Sequence, residues 1–92
     1  RAMDNLINEF GQIIRWPTKQ PEKTFVVNFL ATKFHTERTY TEKEINDIVD
    51  ASHLFDDIAL LRRELISRKK LDRRDDGSQY WKINKSKTKG NT

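Results

Sequence analysis

The chain has 92 residues, 35% hydrophobic and 35% charged, with a formal net charge of +4 and no cysteine. That length holds one domain with a small core. The missing cysteines exclude disulfides and thiolate metal sites, and no apolar run approaches the ~20 residues of a membrane span. No signal-peptide pattern opens the chain, so a cytoplasmic location without a membrane partner is expected. The start at Arg1-Ala2-Met3 points to a piece of a longer protein or to a cloning remnant.

Leu6, Ile7, Phe10, Ile13 and Ile14 recur at spacings of one, three and four, which predicts an amphipathic helix ending at Trp16-Pro17. Asp4 or Asn5 is its candidate cap. A helix this short is marginal alone, so its apolar face must pack on the domain, on a missing domain or on a second subunit. The expected division is residues 1–17 as helix and linker, 18–83 as the domain, and 84–92, which has no apolar residue, as a disordered basic tail.

Pro21 suits a first helical turn. Phe25, Val26, Val27, Phe29, Leu30, Ala31 and Phe34 predict a central core helix over 22–34. Thr39-Tyr40 reads as a short β bridge. Thr41-Glu42-Lys43-Glu44 is a capping box, with Tyr40 and Ile45 as its hydrophobic staple, and it opens a helix through Ile45, Ile48 and Val49 that closes near Ser52-His53. A further helix is expected over 57–70, capped by Asp56. Its inner side is Ile58, Leu61 and Leu65; its outer side carries Ala59, Arg63, Ile66, Ser67 and Lys70, with Arg62 on the flank. Asp75-Asp76-Gly77-Ser78 between Leu71–Arg74 and Gln79–Ile83 marks a hairpin. A two-residue turn would pair Leu71 with Lys82, and a three-residue turn would pair it with Trp81. Burial of Trp81 and Ile83 favours the latter. The expected core centres on Phe25, Phe29, Leu30, Ile45, Ile48, Leu61, Leu65 and Trp81.

From the central helix onward the order is α–(β)–α–α–β–β, so the expected fold is mainly α with a small β-hairpin (α+β), winged-helix-like, with 57–70 in the recognition position and the hairpin as the wing. Charge supports a nucleic-acid partner. Residues 62–92 carry eleven Lys or Arg against four acids, whereas residues 22–61 carry four bases against eight acids. Arg62, Arg63, Ser67, Lys70, Arg73 and Arg74 are the candidate DNA contacts, since guanidinium groups suit guanine edges and phosphates. Asp75 and Asp76 at the wing tip, and Glu42, Asp47 and Asp50 on the preceding helix, oppose that reading. The alternative is a winged-helix-like module that binds protein and leaves DNA to another domain.

Catalysis finds little support. His35 and His53 are the only histidines, and His53 suits a C-terminal helix cap. Ser52-His53 beside Asp56-Asp57 contains triad residue types without a sign of triad geometry. The three glycines are isolated, so no Gly-rich phosphate loop exists. No catalytic residue, cofactor or metal site is expected, and the chain does not read as an enzyme.

Several strings together resemble one family: Trp16-Pro17, Lys19-Gln-Pro-Glu-Lys23, Tyr40-Thr-Glu-Lys-Glu-Ile-Asn46, Asp57-Ile-Ala-Leu-Leu-Arg-Arg-Glu-Leu65, Leu71-Asp-Arg73 and Asp76-Gly-Ser-Gln-Tyr-Trp81. The chain resembles the uncharacterised bacterial "domain of unknown function two-zero-eight-seven" family over this span. The resemblance implies a domain found alone or at the C-terminus of transcriptional regulators, hence a gene-regulatory role, and brings no catalytic residues. On the matching positions Arg62, Arg63, Arg73, Tyr80 and Trp81 stand out. Ser67-Arg-Lys-Lys70 departs from the pattern, which has an aromatic or glycine before the Leu-Asp-Arg string.

Overall fold

The computed structural model describes residues 6–83. The expected caps Asp4 and Asn5 and the expected disordered tail from Asn84 to Thr92 lie outside the described residues. The elements are α1 (Gln20–Ala31), β1 (Thr39–Tyr40), α2 (Glu42–Ala51), α3 (Ile58–Ser67), β2 (Leu71–Arg73) and β3 (Tyr80–Lys82). The strands form one antiparallel sheet in the order β1-β3-β2. This is the expected α+β, mainly helical and winged-helix-like arrangement, in which α3 packs on α1, α2 and β2.

The first apolar segment is not a helix. The Asn8 side-chain oxygen accepts the amides of Phe10 and Gln12, both at 2.9 Å. Gly11 supplies a backbone φ of 76° that other residues adopt at a cost. The chain therefore doubles back, with Ile7 opposite Ile13, and Ile13 forms a parallel bridge to His53. Asx-turn chemistry has prevailed over helical spacing, which a 12-residue helix could not enforce alone. Leu6 and Ile13 are fully buried within the domain, so they are not offered to a partner; Phe10 is 78% exposed and Ile14 is also exposed.

α1 buries Val26, Val27, Leu30 and Ala31, and Phe34 follows them into the core just past its end. At ~100° per residue these five span an arc of about 140°, and Phe25 lies opposite its middle. Phe25 is exposed and Phe29 half-buried, contrary to expectation, because only one arc of α1 can face the core. Phe29 instead stacks under Lys33, whose Nζ lies 4.7 Å from the ring centre.

α2 begins as the capping box requires. Thr41 Oγ1 accepts the Glu44 amide at 3.1 Å and Glu44 Oε1 accepts the Thr41 amide at 2.9 Å. Tyr40 and Ile45, the two ends of the staple, are both buried. Ile48 is only partly buried against the core. His53 closes the helix as a cap: Nδ1 donates to the Val49 carbonyl at 2.7 Å, while Nε2 accepts the Asp57 amide at 2.8 Å. An amide can only donate, which assigns the proton to Nδ1.

α3 is shorter than expected, running over Ile58–Ser67, and its cap is Asp57, not Asp56. Asp57 Oδ1 accepts the Leu60 amide at 3.1 Å, while Asp56 takes a positive φ of 54° in the preceding bend. The hairpin loop has four residues, Asp75–Ser78, closed by a 3.0 Å bond from the Arg74 amide to the Gln79 carbonyl. Leu71 consequently faces Lys82, Asp72 faces Trp81 and Arg73 faces Tyr80. The pairing of Leu71 with Trp81 does not form. β1 decides the matter: Tyr40 pairs with Tyr80, so the row Tyr40–Tyr80–Arg73 shares the inner face and Trp81 belongs to the other. Tyr80 is buried, and Trp81 and Ile83 are half-buried.

Candidate nucleic-acid interface

Leu61 and Leu65 are fully buried and fix the rotation of α3. Helical periodicity then turns Ala59, Arg62, Arg63, Ile66 and Ser67 toward a groove of about 450 Å³ that is open to solvent. Arg73 and Tyr80 of the wing and Glu42 at the start of α2 form the rest of its lining. The groove thus joins three segments well separated in sequence. Its rim carries three guanidinium groups against one carboxylate, and its apolar part comes from Ala59 and Ile66.

The arginines are held differently. Arg62 Nη1 donates to Asn46 Oδ1 at 2.6 Å and stands 3.8 Å from Glu42 Oε2, so it is half-buried and oriented by α2. Arg63 is exposed and has no ion pair or hydrogen bond among the described residues. Arg73 Nη1 makes only long 3.4 Å contacts with the carbonyls of Arg74 and Asp75. Ser67, the last residue of α3, is exposed at the rim.

Lys70 and Arg74 do not line the groove. Lys70 follows the end of α3, where its amide donates to Leu65 O at 2.9 Å and its carbonyl accepts the Ile83 amide at 3.0 Å. Arg74 lines a shallow depression with Arg73, Asp75 and Asp76 beside the wing tip. Asp76 accepts the Ser78 amide at 2.9 Å. Hydrogen bonds from the Ser78 side chain and then its amide hold the Asp76 carboxyl below the usual carboxylate range, so the tip stays negative at neutral pH.

One of the acids that opposed a phosphate partner, Asp47, is matched locally, and so is Glu44 on the same helix. Glu44 pairs with Arg38 at 3.0 Å and Asp47 with Lys43 at 3.0 Å, in exposed geometry worth little to stability. Glu42 is the groove residue that sequence reasoning placed only on an exposed helix face. No local pattern announces its role, because the neighbours that give it one, Arg62 and Tyr80, come from α3 and β3. Arg68, beside the candidate set, is structural: it bonds Glu64 at 2.8 Å, Thr24 at 3.1 Å and Gln20 at 3.2 Å, tying the end of α3 to α1.

Among the described residues, no group of three or more His, Asp or Glu side chains could hold a metal ion, and no helix is long and apolar enough to cross a membrane. The family model for uncharacterized proteins conserved in bacteria matches residues 12–82. The chain belongs to the DUF2087 family. No curated protein and no solved structure matches it. The DUF2087 match contains every residue that lines the groove, and it brings no activity or ligand with it.

Proposed function

We propose that this DUF2087 domain is a duplex-DNA-binding module of a transcriptional regulator in the cytoplasm, contacting DNA through α3 and the wing. The observation that carries the reading is the convergence of Arg62, Arg63 and Arg73 on one solvent-open groove between the helix in the recognition position and the hairpin. Three guanidiniums on a concave surface make a strong positive field for phosphate oxygens. Arg63 is the side chain available for a base edge, since Arg62 is tethered to Asn46. Arg73 is placed for backbone contact. Ser67 adds a hydroxyl, while Lys70 and Arg74 act from outside the groove as general positive charge.

A binding assay with fluorescent duplexes at ~50 mM salt, where phosphate contacts are strongest, tests the reading. Arg73→Ala is expected to weaken binding to all sequences alike, whereas Arg63→Ala relaxes base preference at a cost of about 1–3 kcal/mol. Absence of any complex with duplex DNA sinks the proposal. The exposed apolar side chains Phe10 and Leu54, 78% and 55% accessible and outside the groove, favour the second reading in that event: a winged-helix-like module that binds protein.

A further inference from the structure

We infer that the groove is a site for a phosphate oxyanion and that Glu42 is its built-in competitor, occupying the position the oxyanion takes. This rests on the DNA-binding reading for its physiological source of phosphate and deepens it by naming the contact. Glu42 is the single acid among the groove-lining residues, and the potential donors converge on it. Its Oε2 lies 3.8 Å from Arg62 Nη1, and its Oε1 accepts the Tyr80 hydroxyl at 3.5 Å. Arg73 is near without touching it: a Cβ on Gly77 would sit 3.5 Å from Glu42 Oε1 and 3.6 Å from Arg73 Nη1, so both groups border the same small space beside the turn. An arginine on α3 and a phenol on β3 therefore face one carboxylate, and an arginine on β2 lines the same groove.

These contacts are too long to hold the carboxylate. Charge-assisted hydrogen bonds close to about 2.7–2.9 Å, and both of the Glu42 contacts exceed that by more than half an ångström. The firm anchor of Arg62 is Asn46, at 2.6 Å, so its guanidinium stays in place when Glu42 moves. Glu42 is exposed at the first turn of α2 and can swing into solvent without uncovering the core. A phosphate entering between Arg62 and Arg73 then takes the donors that the carboxylate engages loosely, and the Tyr80 hydroxyl turns to it.

The test is a titration of the ¹⁵N-labelled full chain with inorganic phosphate against a chloride control, followed by the amide signals of Gly77 and Tyr80 and the Arg62 and Arg73 side-chain Nε–H signals. Phosphate moves these signals. Glu42→Gln tightens phosphate binding about fivefold, the size of one Coulomb contact near 4 Å in high dielectric, and Tyr80→Phe, which removes only the hydroxyl, weakens it. The two variants act in opposite directions, so general loss of fold cannot imitate the pattern. Unmoved groove signals, or an affinity that Glu42→Gln leaves unchanged or lowers, overturn the inference. A duplex arm separates it from the DNA reading. Duplex binding that moves the groove signals while inorganic phosphate leaves them unmoved removes the phosphate site and spares the DNA reading; phosphate binding without duplex binding removes the DNA reading and identifies free phosphoryl groups as the source.

Discussion

The amide of Lys70 donates to the carbonyl of Leu65 at 2.9 Å, and the residue between α3 and β2 that makes this possible, Lys69, is held at a φ of 66°. With the Lys69 amide on Ile66 O at 3.1 Å, this is a Schellman closure with a lysine in the position that favours glycine. Lys69→Gly should stabilise the domain by about 0.5–1 kcal/mol, because the left-handed penalty disappears and only part of the gain is lost to the more flexible unfolded chain. Urea denaturation measures it, and a loss of stability would mean that Lys69 makes a compensating contact.

The capping box offers a test with a pH signature. Thr41→Ala should cost about 1 kcal/mol by orphaning the Glu44 amide. The Thr41 amide, followed by Arg38, holds the Glu44 carboxyl below its ordinary value of 4.5. A carboxyl lowered in the folded state stabilises above its unfolded value, and that contribution is lost as pH falls through the folded one. Glu44→Gln should therefore lower the melting temperature at neutral pH. The gap to the wild type should close as pH drops below about 4.5, the ordinary glutamate value. A gap that widens in acid would contradict the hydrogen-bonded carboxylate.

His53 makes a third test. Its ring joins the last turn of α2 to the start of α3 through two hydrogen bonds, at 2.7 and 2.8 Å, and it packs edge-on against Phe55 with centroids 4.7 Å apart. His53→Ala leaves the Val49 carbonyl and the Asp57 amide without this partner, and should destabilise by about 1–3 kcal/mol or more. Chelators should leave stability unchanged, because both ring nitrogens are already bonded within the protein. A change of less than ~0.5 kcal/mol, the scale of ordinary surface substitutions, would mean that water replaces the ring without cost.

What was legible in the chain was mostly local. Thr41 and Glu44 sit three residues apart and carry the whole start of α2, and the Leu61–Leu65 spacing placed the inner side of α3. Asp76-Gly77 located the wing. Where two local signals competed, periodicity misled: Leu6, Phe10 and Ile13 are spaced for a helix, yet Asn8 and Gly11 turn the chain within the same stretch. The strand register was illegible because Tyr80 is drawn inward by Tyr40, forty residues earlier. The groove shows the same division. Periodicity brought out Arg63 and Ser67 on α3, and the hairpin brought out Arg73, but Glu42 joined them only through the packing of α2 on α3.

The salt dependence of duplex affinity tests the central claim most directly. With Arg62 and Arg73 each neutralising a phosphate and Arg63 at a base edge, log affinity should fall linearly with log salt at a slope of about −1.8 or steeper, since each phosphate contact contributes about −0.9 on B-DNA. The double variant Arg62→Ala, Arg73→Ala should lose about 1.8 of that slope. A slope near zero, or one that the double variant leaves unchanged, would contradict the assignment of DNA binding to this groove.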